Sequence, residues 1–153
     1  MKKHWLMVGL IVMLTGCAGL EEGGFLTPPP ATSKYFRTTV AGFGMNTGKP
    51  GIEITYFLDL EVINGLENGA YLEAHFEDPS SRSVPIIVTQ KLNPGEREVE
   101  FRSPEIHGLK SYEGYVTEVF VYDNERKENL LGKHRQVIQS IIDEAELQAR
   151  IGK

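Results

Sequence analysis

The chain has 153 residues, of which 24% are charged and 41% are hydrophobic, and its formal net charge at pH 7 is −5. We do not expect such an acidic chain to bind nucleic acid, because nucleic-acid recognition needs a surplus of basic side chains. The length suits a single domain of ordinary size that can bury a hydrophobic core. Cys17 is the only cysteine, so the chain can form no internal disulfide and its core must stabilise it unaided.

Residues 1–16 have the three parts of a secretory signal peptide. Lys2 and Lys3 form a basic start, an apolar run extends from Trp5 to Leu14, and small residues precede the cysteine. The apolar run is about half of the ~20 residues that cross a hydrocarbon core, so we expect cleavage and not an uncleaved anchor. Removal of the signal peptide leaves 14 basic and 21 acidic side chains, a formal charge of −7.

The motif Leu14-Thr15-Gly16-Cys17 resembles the lipobox of bacterial lipoprotein precursors, and the likeness covers only the N-terminal end of the chain. The resemblance implies cleavage before Cys17, diacylglycerol on its sulfur and an acyl chain on the new amino group. Two or more acyl chains hold a protein stably on a membrane, whereas a free thiol would be unusual in an oxidising compartment. Ala18 replaces the aspartate that tends to retain such proteins in the inner membrane, which implies the outer membrane. We expect no other cofactor.

Residues 17–34 are predicted to form a flexible tether between the lipid and the domain. Glycines loosen this segment, the triplet Pro28-Pro29-Pro30 stiffens it, and no periodicity is present. A tether of this length spans at most ~55 Å when extended, so the domain stays close to its membrane. The proline triplet is also compatible with a polyproline ligand.

Alternating apolar and polar residues predict β-strands throughout residues 35–140. The alternation is clearest from Ile52 to Val62, and a second run from Ala70 to Phe76 follows two turn-forming glycines. The other predicted strands are the segments Tyr35–Val40, Ile86–Val88, Val99–Phe101, Tyr115–Tyr122 and Leu131–Ser140. Seven short strands without long helical segments favour an all-β fold, a two-sheet antiparallel sandwich of immunoglobulin-like or related topology.

Residues 141–153 are predicted to form a C-terminal tail or a short helix. Ser140 and Asp143 approximate a capping box, and good helix formers follow them. The predicted helix ends near Arg150 and has a narrow apolar face.

No local pattern predicts catalysis or a metal site. His75 and Glu77 lie two residues apart on one predicted strand and could face the same side, but no zinc-binding motif accompanies them. The acidic run Asp123-Asn124-Glu125 lacks the glycine and the terminal glutamate of a calcium loop. The serines near residue 80 have no nucleophile elbow around them. We therefore expect a protein that is not an enzyme and binds no metal.

The loop from Ser103 to Gly114 is longer than a tight hairpin requires. It carries Ile106, Leu109 and Tyr112 among polar neighbours, and long loops with apolar and aromatic side chains often bind partners. These three residues are therefore the candidate partner-binding residues. The alternative is that the three side chains fold back and plug the open end of the sandwich.

The lipid anchor, the tether and the missing catalytic pattern predict a periplasm-facing outer-membrane lipoprotein that binds another envelope protein. Its role would be that of an assembly, secretion-apparatus or stabilising factor. One alternative is a glycan- or peptidoglycan-binding module that uses Tyr71 and Tyr112 as stacking platforms. Another is an inhibitor or immunity lipoprotein that shields the cell from a toxin. The sandwich fold does not decide among these functions, because such folds carry many of them.

Overall fold

The computed structural model describes residues 28–46, 51–66 and 68–151. The predicted signal peptide, Cys17 and most of the predicted tether lie outside these residues. The described residues form seven strands and one helix: β1 (Phe36–Asn46), β2 (Glu53–Val62), β3 (Ala70–Phe76), β4 (Ile86–Leu92), β5 (Glu98–Arg102), β6 (Gly114–Tyr122), β7 (Leu130–Gln139) and α1 (Glu144–Ile151).

The strands form two antiparallel sheets with the orders β1-β2-β5 and β4-β3-β6-β7. The chain changes sheet after β2, after β4 and again after β5, so the two sheets are interleaved along the sequence. The predicted all-β, two-sheet antiparallel sandwich is confirmed. The strand order is related to that of immunoglobulin constant domains, except that β4 pairs with β3 and not with β5.

The core lies between the two sheets and is built from alternate residues of the central strands. Ile54, Tyr56 and Leu58 of β2 are buried, as the period of two predicted. The Tyr56 ring stacks on the Phe76 ring of the opposite sheet with a centroid distance of 5.1 Å. Each such buried side chain contributes about 1.5–3 kcal/mol of apolar burial, so aromatic contacts across the interface hold the two sheets together.

Strand β1 is longer than the predicted Tyr35–Val40 segment and continues to Asn46. The second half of β1 escaped prediction because Gly42 and Gly44 interrupt the alternation and a shift in register follows Thr38. Gly42 lies under the Phe57 ring of β2, where a Cβ atom would come within 2.6 Å of the ring. The glycine is therefore needed for close approach of this ring to the strand.

The predicted C-terminal helix is confirmed, but it begins at Glu144. The prediction that Ser140 caps it is wrong, because Asp143 is the capping residue and its Oδ1 accepts the Glu146 N–H at 3.0 Å. The Ser140 hydroxyl is buried and bonds instead to the Ile142 backbone, with both Oγ–N and Oγ–O distances at 3.0 Å. Ser140 therefore shapes the turn before the helix.

Candidate functional site

The structure separates the three candidate partner-binding residues of the long loop. Ile106 and Leu109 are only 2% and 1% exposed and belong to the core, whereas Tyr112 is 73% exposed. The Ile106 N–H donates to the Ile54 carbonyl oxygen at 2.8 Å, which fixes the loop beside β2. Ile106 and Leu109 thus match the plug alternative, and the loop does not present the three side chains as one surface patch.

A buried carboxylate explains why the loop folds inward. Glu144, the first residue of α1, is buried and accepts hydrogen bonds from His107 Nδ1 at 3.1 Å and from the Gly108 N–H. The Glu144 N–H donates to the Leu109 carbonyl oxygen at 2.9 Å. The hydrogen bond to Glu144 raises the pKa of His107. The helix therefore holds the loop in place through one acidic side chain.

The outward side of the four-stranded sheet carries a group of aromatic and apolar residues that we call the outer sheet face: Tyr71, His75, Ile87, Phe120 and Tyr122. Tyr71 pairs with Tyr122 and His75 pairs with Ile87 across neighbouring strands. The His75 and Phe120 rings lie 4.8 Å apart. Aromatic side chains are among the residues enriched at protein interfaces, so this face is a candidate binding surface.

Glu73 lies at the centre of the outer sheet face and is only 6% exposed. Its carboxylate contacts His75 Nε2 at 2.6 Å and forms an ion pair with Lys127 of the β6–β7 loop. Burial alone raises the pKa of Glu73, but the hydrogen bonds from Lys127 and His75 outweigh burial and hold the pKa below its ordinary value. Lys127, the residue that covers Glu73, has a φ of 57° and therefore a left-handed backbone conformation.

The outer sheet face reaches the free edge of the sheet at β4. Within the described residues, β4 pairs with β3 alone, and Val84 and Ile87 are each more than half exposed. A sheet edge offers unpaired backbone groups, which natural proteins usually protect with lysine or proline. Here Pro85 precedes β4 and Lys91 lies near its end, while the middle of the strand keeps Ile87 exposed.

His75 and Glu77, the pair weighed as metal ligands, have different partners in the structure. His75 contacts Glu73, whereas Glu77 accepts the Val116 N–H at 2.9 Å and pairs with Arg82 at 3.2 Å. Among the described residues, no group of three or more His, Cys, Asp or Glu side chains is placed to hold a metal ion.

A groove of about 510 Å³ runs beside Tyr71 at the β6–β7 end of the sheet. Its lining includes Asp123 and Asn124, whose side chains already bond within their own loop to Asn129 and to the Arg126 N–H. Tyr112 lies before β6, at the opposite end of the nine-residue strand, so the two tyrosines are ~30 Å apart. The two predicted stacking platforms therefore do not belong to one site.

The opposite side of the sandwich, between β1 and β7, is covered by residues 28–34, which we call the N-terminal segment. The Ala31 N–H donates to Gln136 Oε1 at 2.8 Å, and the Thr38 N–H donates to the Ala31 carbonyl oxygen at 2.9 Å. His134 bonds to Ser33 Oγ at 2.9 Å and to Thr38 Oγ1 at 2.8 Å. Residues 28–34 were predicted as part of the tether, but they pack on the domain.

Burial lowers the pKa of His134 to about 4. The ring is enclosed between Thr38 on β1, Ser33 on the N-terminal segment and the edge of Phe36, whose ring centroid lies 6.2 Å away. A neutral imidazole with one donor and one acceptor nitrogen fits two hydroxyl partners. His134 is therefore a neutral structural residue at neutral pH.

Comparison of the chain with protein-family models, with curated proteins and with solved structures finds no match. Within residues 28–46, 51–66 and 68–151, no helix has the length and apolar character needed to cross a bilayer. Two features of the candidate site escaped sequence reasoning: the buried Glu73 and the exposed edge around Ile87. Alternation along β3 and β4 places both residues outward, but their burial and exposure depend on partners that local patterns do not reveal.

Proposed function

We propose that this protein is a cell-envelope lipoprotein, anchored to the outer membrane through acylated Cys17, and that its sandwich domain binds another envelope protein without catalysing a reaction. The anchor is supported by the lipobox-like motif alone. The binding role is supported by one structural observation, the outer sheet face that continues into the unpaired edge of β4.

The composition of the outer sheet face suits a protein partner. His75 contacts the Phe120 ring and pairs with Ile87 across the strands, and protein interfaces are enriched in aromatic and apolar residues at their cores. Charged side chains lie beside these residues: Lys133 lies 5.0 Å above the Phe120 ring and pairs with Glu118 at 2.6 Å. The free edge of β4 can also pair with an extended strand, a common mode of peptide and protein recognition.

The position of this surface is compatible with a lipid anchor. The N-terminal segment packs against β1 and β7, whereas β4 lies at the other end of the four-stranded sheet. Three inter-strand spacings of ~4.8 Å separate β7 from β4, so a partner on β4 does not compete with the chain that leads to Cys17.

Crosslinking with mass spectrometry in the native envelope tests the binding proposal. We expect crosslinks between the outer sheet face and one envelope protein in the parent chain, and their loss in Ile87→Lys, which places a charge on the free edge. Val40→Lys is the matched control, because Val40 is an equally exposed apolar residue on β1 of the other sheet. Identical crosslinks in all three chains would contradict this surface as the binding site.

The anchor is tested independently by the intact mass of the mature protein. Acylation predicts a mass that corresponds to a chain beginning at Cys17 plus a diacylglycerol and an N-acyl group. In Cys17→Ser these groups should be missing and the protein should leave the membrane fraction. An unmodified Cys17 in the parent chain would disprove the anchor.

A second candidate function is glycan binding, which the groove beside Tyr71 supports. A tyrosine with polar neighbours in a groove of about 510 Å³ offers a flat ring on which a sugar can stack. The side chains of Asp123 and Asn124 in the same groove are engaged within their loop. Pull-down on purified cell-wall sacculi distinguishes the two functions. Retention that Tyr71→Ala abolishes and Tyr112→Ala preserves would favour the glycan function.

A further inference from the structure

Four exposed apolar side chains lie at the end of the sandwich that carries α1. Met45, Tyr112, Ile141 and Ile151 each expose more than half of their surface; we call these four residues the apolar end. The Tyr112 N–H donates to the Ser140 carbonyl oxygen at 2.8 Å, which places Tyr112 beside Ile141.

The same residues also border α1. Met45, Ile141 and Leu147 line one shallow groove of about 270 Å³, and Ile151 follows Leu147 by one helical turn. The four exposed side chains thus lie at one end of the molecule.

The N-terminal segment runs toward this end. Thr32 pairs antiparallel with Arg37, so the chain from Thr32 back to Pro28 follows β1 toward its C-terminal half. Pro28 and Pro30 line a small cavity with Val40, Ala41, Ile138 and Gln139. Met45 lies four residues beyond Ala41 and Ile141 lies two residues beyond Gln139, so Pro28 is within ~13 Å of the apolar end along the strand direction.

The remaining chain between Cys17 and Pro28 is short. Eleven residue steps separate them, which span ~18 Å as a flexible coil and at most ~40 Å when extended. A lipid on Cys17 therefore brings the apolar end to the bilayer with the chain relaxed. Contact through the opposite end would require the chain to run back along most of a β1 strand of 11 residues, which is ~35 Å long.

The charges near the apolar end do not favour electrostatic attraction to anionic lipids. Arg150 pairs with Glu146 at 2.5 Å, and Asp143 caps α1. The chain that starts at Cys17 has a formal charge of −7, from 14 basic and 21 acidic side chains. Contact with a bilayer would thus depend on apolar burial, which a lipid anchor makes effective by raising the local concentration of the membrane.

We propose that the apolar end rests on the bilayer surface, with Met45, Tyr112, Ile141 and Ile151 among the lipid headgroups, and that this contact turns the opposite end of the sandwich, where β7 begins at Leu130, away from the membrane. This proposal rests on the proposed acylation of Cys17. The proposal specifies how the domain is oriented relative to the membrane. The lipid and four apolar side chains hold one end of the domain at the bilayer, and the outer sheet face stays accessible to a partner.

Single-tryptophan variants of the full acylated protein test this orientation. Trp5 is the only tryptophan and lies in the predicted signal peptide, so each variant gives the mature chain a single reporter. Ile141→Trp lies at the apolar end, and Leu130→Trp lies at the start of β7, the opposite end of that strand. The proteins are reconstituted in vesicles of zwitterionic phospholipid brominated at upper acyl positions, and their acylation is checked by intact mass. We expect the Ile141→Trp emission to shift to the blue and fall by about half, as for a side chain ~5–10 Å deep in the interface. The Leu130→Trp emission should not change.

Each other outcome overturns a defined part of the proposal. Acylated, vesicle-bound protein with no quenching of Ile141→Trp would disprove the contact and leave the anchor standing. Equal quenching of Ile141→Trp and Leu130→Trp would disprove the orientation. Protein without acyl groups would remove both the anchor and the inference that depends on it. A requirement for anionic lipid would contradict an apolar contact.

Discussion

The two edges of the four-stranded sheet differ: the β7 edge is covered by hydrogen-bonded neighbours, whereas the β4 edge is exposed. At the β7 edge, the N-terminal segment, β1 and His134 form a chain of hydrogen bonds that joins Ala31 to Gln136 and Ser33 to His134. At the β4 edge, Ile87 is exposed and, within the described residues, no further strand follows β4.

Together with the proposed function, this difference predicts that the β7 edge serves stability and the β4 edge serves binding. Buried polar groups at the β7 edge stabilise the fold only while they remain paired, so changes there should cost folding free energy. The β4 edge has exposed side chains whose removal leaves no cavity and no unpaired buried group. Changes at β4 should therefore affect a partner and leave the fold intact.

The largest predicted decrease in stability follows from removing the Phe36 side chain, which is fully buried at the β7 edge. Phe36→Ala should lower the free energy of unfolding by about 3–5 kcal/mol, because it removes a core ring and leaves a cavity. Ile87→Ala at the β4 edge should change it by less than about 0.5 kcal/mol. Denaturant unfolding of both variants measures the two values, and similar losses would show that the edges do not differ.

The second largest predicted effect is a pH dependence of the free energy of unfolding, which originates at His134. Burial lowers its pKa from 6.5 to about 4, so the unfolded chain binds more protons between these values and stability must fall as the pH drops through them. We expect a loss of about 2 kcal/mol between about pH 7 and about pH 5, since one pKa unit corresponds to ~1.4 kcal/mol.

The control for the His134 prediction is His134→Gln, which keeps a hydrogen-bonding side chain but cannot titrate. This variant should be less stable at neutral pH and should lose most of the pH dependence above about pH 5, where free carboxyl groups remain mostly ionised. If the parent chain and the variant have the same pH profile, His134 is not the group responsible.

The sequence predicted the sandwich because strand periodicity reports which side chains face the core. Ile54, Tyr56 and Leu58 alternate with polar residues and are buried as expected. The same alternation could not reveal that Glu73 is buried on the outward side, because its cover is Lys127, 54 residues later in the chain. Periodicity predicts the direction of a side chain, whereas its burial depends on distant loops.

The role of the long loop from Ser103 to Gly114 could not be predicted for a similar reason, because it depends on contacts that are distant in the sequence. Apolar residues in a loop can bind a partner or plug a core, and the local sequence around Ile106 and Leu109 fits both. The structure assigns them to the core because Glu144, 36 residues after Gly108, accepts hydrogen bonds from that loop. The N-terminal segment escaped prediction for the same reason, since Ala31 bonds to Gln136, 105 residues away.

A smaller effect should follow from loosening the N-terminal segment. Ser33→Ala removes a hydrogen bond to His134 Nδ1 and should lower the free energy of unfolding by about 1 kcal/mol. The Thr38 N–H, which donates to the Ala31 carbonyl oxygen, should then exchange faster with deuterium. Ser83→Ala is a control at an exposed position, and unchanged exchange at Thr38 in Ser33→Ala would mean that Ser33 does not hold the segment.

The Ile87→Lys variant should have the smallest effect on stability and the largest effect on binding. Ile87→Lys leaves no cavity, because the Ile87 side chain faces solvent on β4, and lysine is common on protected edge strands. Its midpoint of thermal unfolding should match that of Val40→Lys and of the parent chain, while only Ile87→Lys loses its envelope crosslinks. Loss of crosslinks together with a lowered midpoint would mean that β4 supports the fold. Loss of crosslinks at an unchanged midpoint would separate binding at β4 from stability at β7. A charge at the β4 edge would then have removed a partner without disturbing any group that stabilises the sandwich.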